Sequence, residues 1–240
     1  MAAVSVFPSQ VELGAALARL VTEAAAEAVA RSGRFTLGLS GGSLVTLLAR
    51  ELPPALRAAP GAQPERWLVA FCDERLVPPE HPDSTVGAYR FVLVRTGLYW
   101  FILVRTGPQA FPGPDTPQFD LLLLGVGPDG HTCSLFPGHA LLQEQDALVG
   151  FLEDSPKPPP RRVSMTLPLL NSAHSVLMVA TGATKAPVIR LLLEAPQAPQ
   201  APRGSLPAAL VCPGPGRLRW LLDTEAAREL QRPLQEQPGN

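Results

Sequence analysis

Apolar residues recur along this chain with two different spacings, and the alternation between them predicts its elements. From Ser9 to Arg31, Leu13, Leu17, Leu20, Val21 and Ala24 keep to one face, the three-and-four spacing of a helix. Ser9 and Glu12 have capping-box separation at its start, and Gly33 is a suitable stop. Short apolar runs bounded by turn residues predict strands at Phe35–Leu39, Trp67–Phe71, Phe119–Leu124 and Ser175–Ala180, with two more at Ala208–Cys212 and Leu218–Leu222. Helices are predicted over Leu44–Leu52 and from Lys185 to Glu194, and Thr224 can cap a last one through Leu230. The leucines at 121–124, closed by Gly125, read as a strand buried on both faces. Strands alternating with helices imply an α/β fold with a mainly parallel sheet. In such sheets ligands collect beyond the carboxyl ends of the strands. Here four strands in a row run into polar or glycine-rich residues there.

Composition narrows the classes. The 240 residues favour one domain or two small ones, with room for a sizeable core. A formal net charge of −1 without a basic block argues against a nucleic-acid or anionic-membrane surface. No apolar stretch is long enough to span a membrane, and no signal peptide is expected. Cys72, Cys133 and Cys212 are odd in number and widely spaced, which fits a reducing cytosol better than a disulfide framework. Many of the 28 prolines cluster at 108–117, 156–160 and 196–202, and these read as loops. One segment departs from the pattern. Phe91-Val-Leu-Val-Arg-Thr-Gly97 is nearly repeated as Phe101-Ile-Leu-Val-Arg-Thr-Gly107, either a sequence or gene-model artefact or a genuine apolar helix or strand pair.

Candidate chemistry concentrates in the strand ends. Gly125-Val-Gly-Pro-Asp-Gly-His-Thr-Cys-Ser-Leu-Phe-Pro137 puts Asp129 and His131 in a turn at the sheet rim, a general-base unit because histidine titrates near neutrality. Its G-x-G-x-x-G match is a poor dinucleotide site, since Pro137 and Gly138 stop any following helix and no acidic residue ends a strand about 20 residues later. His131, Cys133 and His139 do not have a recognised zinc spacing. Ser40-Gly-Gly-Ser43, between strand and helix, resembles an anion cradle. Gly38-Leu-Ser-Gly-Gly42 also matches the nucleophile elbow of serine esterases, with Ser40 as nucleophile. Against that stand its place on an early strand and the last histidine, His174, which enters a strand instead of following one. Asp73-Glu-Arg75 at a strand end is either a solvated turn with a surface ion pair or part of a site. Lys185 at a helix start can close on an anion.

Taken together, Leu37–Ser43, Phe71–Pro78, Gly125–Pro137, Asp154–Pro160, Arg162–Pro168 and Ala180–Lys185 resemble the 6-phosphogluconolactonase family, and closely its animal members. The resemblance covers nearly the whole chain outside about 91–117. It implies a single domain over 1–240, a three-layer, Rossmann-like α/β sandwich of the glucosamine-6-phosphate deaminase/ribose-5-phosphate isomerase type, with 91–117 an atypical insert or artefact. It also implies hydrolysis of 6-phospho-D-glucono-1,5-lactone in the cytosolic pentose phosphate pathway, by a monomer without metal or organic cofactor. On this pattern His131, Asp129 and Arg75 are catalytic. Gly41, Gly42, Ser43, Asp73, Lys185 and Arg162 hold the substrate. The deaminase branch resembles the chain around Asp129–His131 but has a glutamate where Phe136 stands, and lack of that acid favours the lactonase. Departures are Val86, where an aromatic is common, and the stretch between Arg90 and Phe119, where relatives carry a longer segment with an acidic helix. They leave an inactive sugar-phosphate-binding relative as an alternative.

Overall fold

The computed structural model describes residues 2–96, 101–102, 117–194 and 206–231. Its elements run in the order β1 (Ala3–Phe7), α1 (Gln10–Ser32), β2 (Phe35–Leu39), α2 (Ser43–Ala58), β3 (Trp67–Phe71), β4 (Asp73–Arg75), α3 (Thr85–Thr96), β5 (Phe101–Ile102), β6 (Leu121–Gly125), β7 (Val149–Leu152), β8 (Arg162–Met165), α4 (Leu167–Ser172), β9 (Val176–Ala180), α5 (Ala186–Glu194), α6 (Pro207–Leu210), β10 (Leu218–Asp223) and α7 (Thr224–Ala227). Seven strands form one sheet in the order β1-β10-β9-β6-β2-β3-β5, with every neighbouring pair parallel.

A parallel sheet needs cover on both faces, because side chains alternate along each strand and both sets must leave water. Leu37 and Leu39 of β2, Leu121 and Leu123 of β6 and Val179 of β9 pack with Leu13, Leu17 and Val21 of α1 and Leu44 and Leu48 of α2. The residues between them, Leu122, Leu124, Met178 and Trp220, pack on the other face with Leu170 of α4 and Ile189 and Leu192 of α5. The result is three layers, helices on sheet on helices. Gly38 belongs to this packing. A Cβ there would lie 2.3 Å from Leu122 Cδ2, so any larger residue would have to displace the Leu122 side chain.

The strand order reverses at one place. From β2 the chain moves outward through β3 to β5, then returns to β6 on the other side of β2 and continues outward through β9 and β10. The turns leaving β2 and β6 therefore diverge, and a crevice opens between them, as α/β sheets require at such a switch point. A second, antiparallel sheet in the order β4-β8-β7 stands beside this end.

Several expectations change. Helix α1 starts and stops as predicted, with Ser9 Oγ accepting from Glu12 N and Gly33 at φ 77°. Helix α2 runs beyond Leu52 to Ala58 through Pro53 and Pro54, because Leu52, Pro53 and Leu56 remain buried and hold that turn against the core. Ala208–Cys212 is not a strand. Both sides of β10 are taken by β1 and β9, and Pro207 starts the short helix α6 instead. The last helix ends at Ala227, and its cap is Asp223, not Thr224. Asp73–Arg75 is no solvated turn: it pairs with β8, and Asp73 and Glu74 are both buried. The first copy of the near-repeat falls in α3 up to Thr96, and the second opens with β5 beside Val69 and Ala70. The remainder of 91–117 before Pro117 lies outside the described residues.

Candidate active site

The turn after β6 is built around a side-chain pair. Gly127 N donates to His131 O at 2.8 Å and Gly130 N to Gly127 O at 2.9 Å, closing the loop on itself. Gly130 has φ 82°, a backbone that favours glycine. Asp129 and His131 then fold back over Gly127, where a Cβ would fall 1.9 Å from His131 Nδ1. The imidazole Nδ1 meets Asp129 Oδ1 at 2.5 Å. Its ring lies 4.9 Å from that of Phe136, tilted by 32°. Burial lowers the His131 pKa below its ordinary value and outweighs the raising effect of Asp129. For Asp129 burial acts upward, but hydrogen bonds from His131 and Lys157 prevail and bring it down to about 2. With Nδ1 engaged by a carboxylate, the other ring nitrogen, Nε2, is the one available to a substrate.

A cleft of about 160 Å³ opens in front of this imidazole, lined by the β2 turn, the β6 turn and the segment after β9. Gly41, Gly42, Ser43, Asp73, Arg75, His131 and Lys185 all line it. Gly42 is the N-cap of α2 at φ 76°, with no side chain capping the helix, so its first amides face the cleft with only the helix dipole behind them. Opposite, Lys185 closes a turn that Gly182 begins. Gly182 N donates to both oxygens of Asp223 at 3.0 Å. Burial, and then the nearby Lys157, lower the Lys185 pKa, while Asp129 opposes them. Asp73 Oδ2 accepts from Ser134 Oγ at 2.7 Å, and Arg75 Nη1 donates to Asp83 O at 3.0 Å. Glu74 points the other way. Its carboxylate accepts from Thr85 N at 2.8 Å and Val86 N at 2.7 Å, capping α3.

The chain matches the model of glucosamine-6-phosphate isomerases/6-phosphogluconolactonase over residues 8–99 and 104–220. It is 50% identical to the 6-phosphogluconolactonases of Bos taurus and of Homo sapiens, over 97% of this chain and 95% of each relative. It belongs to that family. A solved 6-phosphogluconolactonase from Trypanosoma brucei shares 27% identity and superposes with a TM-score of 0.74, covering 96% of this chain and 99% of that one. The lactonase fold, a mainly parallel α/β sandwich, is thus the one expected from the six motifs.

Two features refine the sequence picture of this lactonase family member. Arg162 does not reach into the cleft as an open cation. It is buried, with Nε donating to Pro159 O at 2.9 Å and Nη2 to Lys157 O at 2.9 Å and Pro158 O at 3.0 Å. Burial, then the neighbouring Arg75, lower its pKa. Lys157, which sequence reasoning left among the loop residues, places Nζ 3.0 Å from Asp129 Oδ1 and 3.1 Å from His131 Nδ1. Its signal was a lysine between Pro156 and three further prolines inside a family motif. Ser40 is buried, and its Oγ lies 3.9 Å from Cys133 Sγ, with no imidazole as partner. Its φ is not positive, so the strained elbow of serine esterases is missing. Among the described residues no three His, Cys, Asp or Glu side chains cluster as metal ligands.

Proposed function

We propose that this chain hydrolyses 6-phospho-D-glucono-1,5-lactone to 6-phospho-D-gluconate, with His131 as general base on water. The observation that carries the reading is the meeting, in one cleft, of an imidazole with a free Nε2 and a glycine-rich helix start faced by Lys185. The phosphate rests on the amides at Gly41, Gly42 and Ser43, and Lys185 supplies the countercharge. So anchored, the lactone presents C1 to His131. Asp129 holds the tautomer with the proton on Nδ1. Nε2 takes a proton from water as the hydroxyl oxygen bonds to C1. Arg75 stabilises the oxyanion. The C1–ring oxygen bond then breaks, and the imidazolium returns its proton to that oxygen. Asp73 receives a sugar hydroxyl. Arg162 serves the substrate indirectly, by shaping the loop that carries Lys157. The setting is the cytosolic pentose phosphate pathway.

Lactone hydrolysis by His131→Ala tests the reading. Loss of a general base lowers kcat by about 10²–10⁴-fold, whereas Ser40→Ala retains turnover and Ser40 stays unlabelled by a fluorophosphonate. An unchanged kcat in His131→Ala removes the imidazole from the chemistry. Labelling at Ser40 restores the covalent esterase route. Binding of 6-phosphogluconate without turnover of the lactone identifies a non-catalytic relative.

A further inference from the structure

We propose that Lys157 is a positioning residue that acts through His131: its ammonium shares Asp129 with the imidazole and leaves Nε2 free to take a proton from water. The inference deepens the lactonase reading and rests on His131 being the general base.

A flexible lysine on a surface loop would ordinarily stay in solvent, since ordering its side chain costs rotamer entropy. Here the loop is built to deliver it. Arg162 donates to the carbonyls of three consecutive residues, Lys157, Pro158 and Pro159. Ser155 Oγ donates to Lys157 O at 2.8 Å and accepts from Lys157 N at 3.3 Å. His139 Nε2 meets Asp154 Oδ1 at 3.0 Å at the near end of the same loop. The Lys157 side chain is left 38% exposed with Nζ almost equidistant from the Asp129 oxygen and the His131 nitrogen.

A cation at this place favours the chemistry. A carboxylate 2.5 Å from an imidazole favours the doubly protonated ring, and an imidazolium cannot accept a proton from water. An ammonium on the same carboxylate oxygen offsets that charge while leaving Asp129 able to accept the hydrogen bond from Nδ1–H. The other charges around His131 do not replace it. Asp73 acts in the same direction as Asp129. Arg75 and Lys185 line the cleft in front of the ring, where substrate charge would meet them. Burial of the ring favours its neutral form, and Lys157 adds to that against both carboxylates.

The test compares Lys157→Met with Lys157→Arg. The imidazole titration of His131 is followed by NMR in the ligand-free protein, its resonance assigned through His131→Gln, with His81, His139 and His174 as internal controls. In Lys157→Met the His131 midpoint moves to higher pH while the three controls stay in place. The acid limb of kcat/KM moves with it, so activity lost at neutral pH returns at alkaline pH with KM little changed. Lys157→Arg keeps the cation and titrates like the unmodified chain. A His131 midpoint that does not move in Lys157→Met overturns the proposal. So does a raised KM with an unmoved acid limb, which would make Lys157 a ligand of the substrate phosphate. If the unmodified chain fails to turn over the lactone while the NMR midpoint still shifts, the lactonase reading falls and the coupling of Lys157 to His131 stands.

Discussion

His131 carries the consequence easiest to read in solution. Burial, aided by Lys157, lowers its pKa from 6.5, so the folded imidazole stays neutral at pH values where the unfolded one gains a proton. Between those two values the unfolded chain binds more protons, and stability falls as the pH drops. The contribution is complete above the unfolded value and is lost on acidification through the folded one. Asp129, brought down to about 2, has the same sign in a more acid window, below its ordinary 3.8. On the proposed general-base role the neutral imidazole is the active form, and the acid limb of kcat/KM should have its midpoint below about 6.5. A pH profile with that midpoint at or above the ordinary histidine value would contradict the assignment. Asp129 and His131 were legible in the sequence because they sit two residues apart in one turn. Lys157 was not, being 26 residues from His131 and delivered by hydrogen bonds to loop carbonyls that no side-chain pattern records. From its motif Arg162 reads as a cation for the substrate, but its burial and orientation, which those same carbonyls decide, were not legible.

At the scale of elements, Glu74 shows how a three-residue strand can serve two structures at once. Alternation along β4 sends Asp73 and Arg75 to the cleft and Glu74 away from it, onto the first amides of α3. That helix in turn supports the β2 turn, with Tyr89 Oη donating to Ser40 O at 2.7 Å. Glu74→Ala leaves those amides unpaired in a buried place and should cost about 1–3 kcal/mol. A lowered urea midpoint measures it, and a midpoint equal to that of the unmodified chain would show that the cap is dispensable. Elements with local signals were legible. Helix α1 has its apolar stripe, Ser9 and Gly33, and each of these is used. Elements decided by partners were not. Strand β1 exists only because its residues pair with Arg219–Asp223 of β10, and α6 forms where both sides of β10 are already taken. The near-identical runs starting at Phe91 and Phe101 begin in a helix and a strand, so position, not local sequence, decides between them.

The whole molecule is organised by the reversal of strand order between β2 and β6. Alternation of strands and helices in the sequence predicts a parallel sheet, but strand order depends on pairings between distant segments and has no local sign. Its functional effect is to separate the turns that leave these adjacent strands, so that the α2 start and the β6 turn line opposite walls of one cleft. If a phosphorylated sugar acid bridges those walls, it ties the two halves of the sheet together, and the folded state gains free energy that the unfolded chain cannot. At a ligand concentration about 100-fold above Kd the gain is about 2.7 kcal/mol. For a chain of this size each kcal/mol raises Tm by about 2–4 °C, so 6-phosphogluconate should raise it by roughly 5–11 °C at that saturation. On the proposed placement of the phosphate, gluconate without it lacks the α2 amides and Lys185 as partners and should produce little shift. Lys185→Met should weaken the response to the phosphorylated acid without abolishing it, because the helix amides remain. Equal shifts from the two acids, measured by calorimetry at matched concentration, would mean that the glycine-rich turn is not where the phosphate rests.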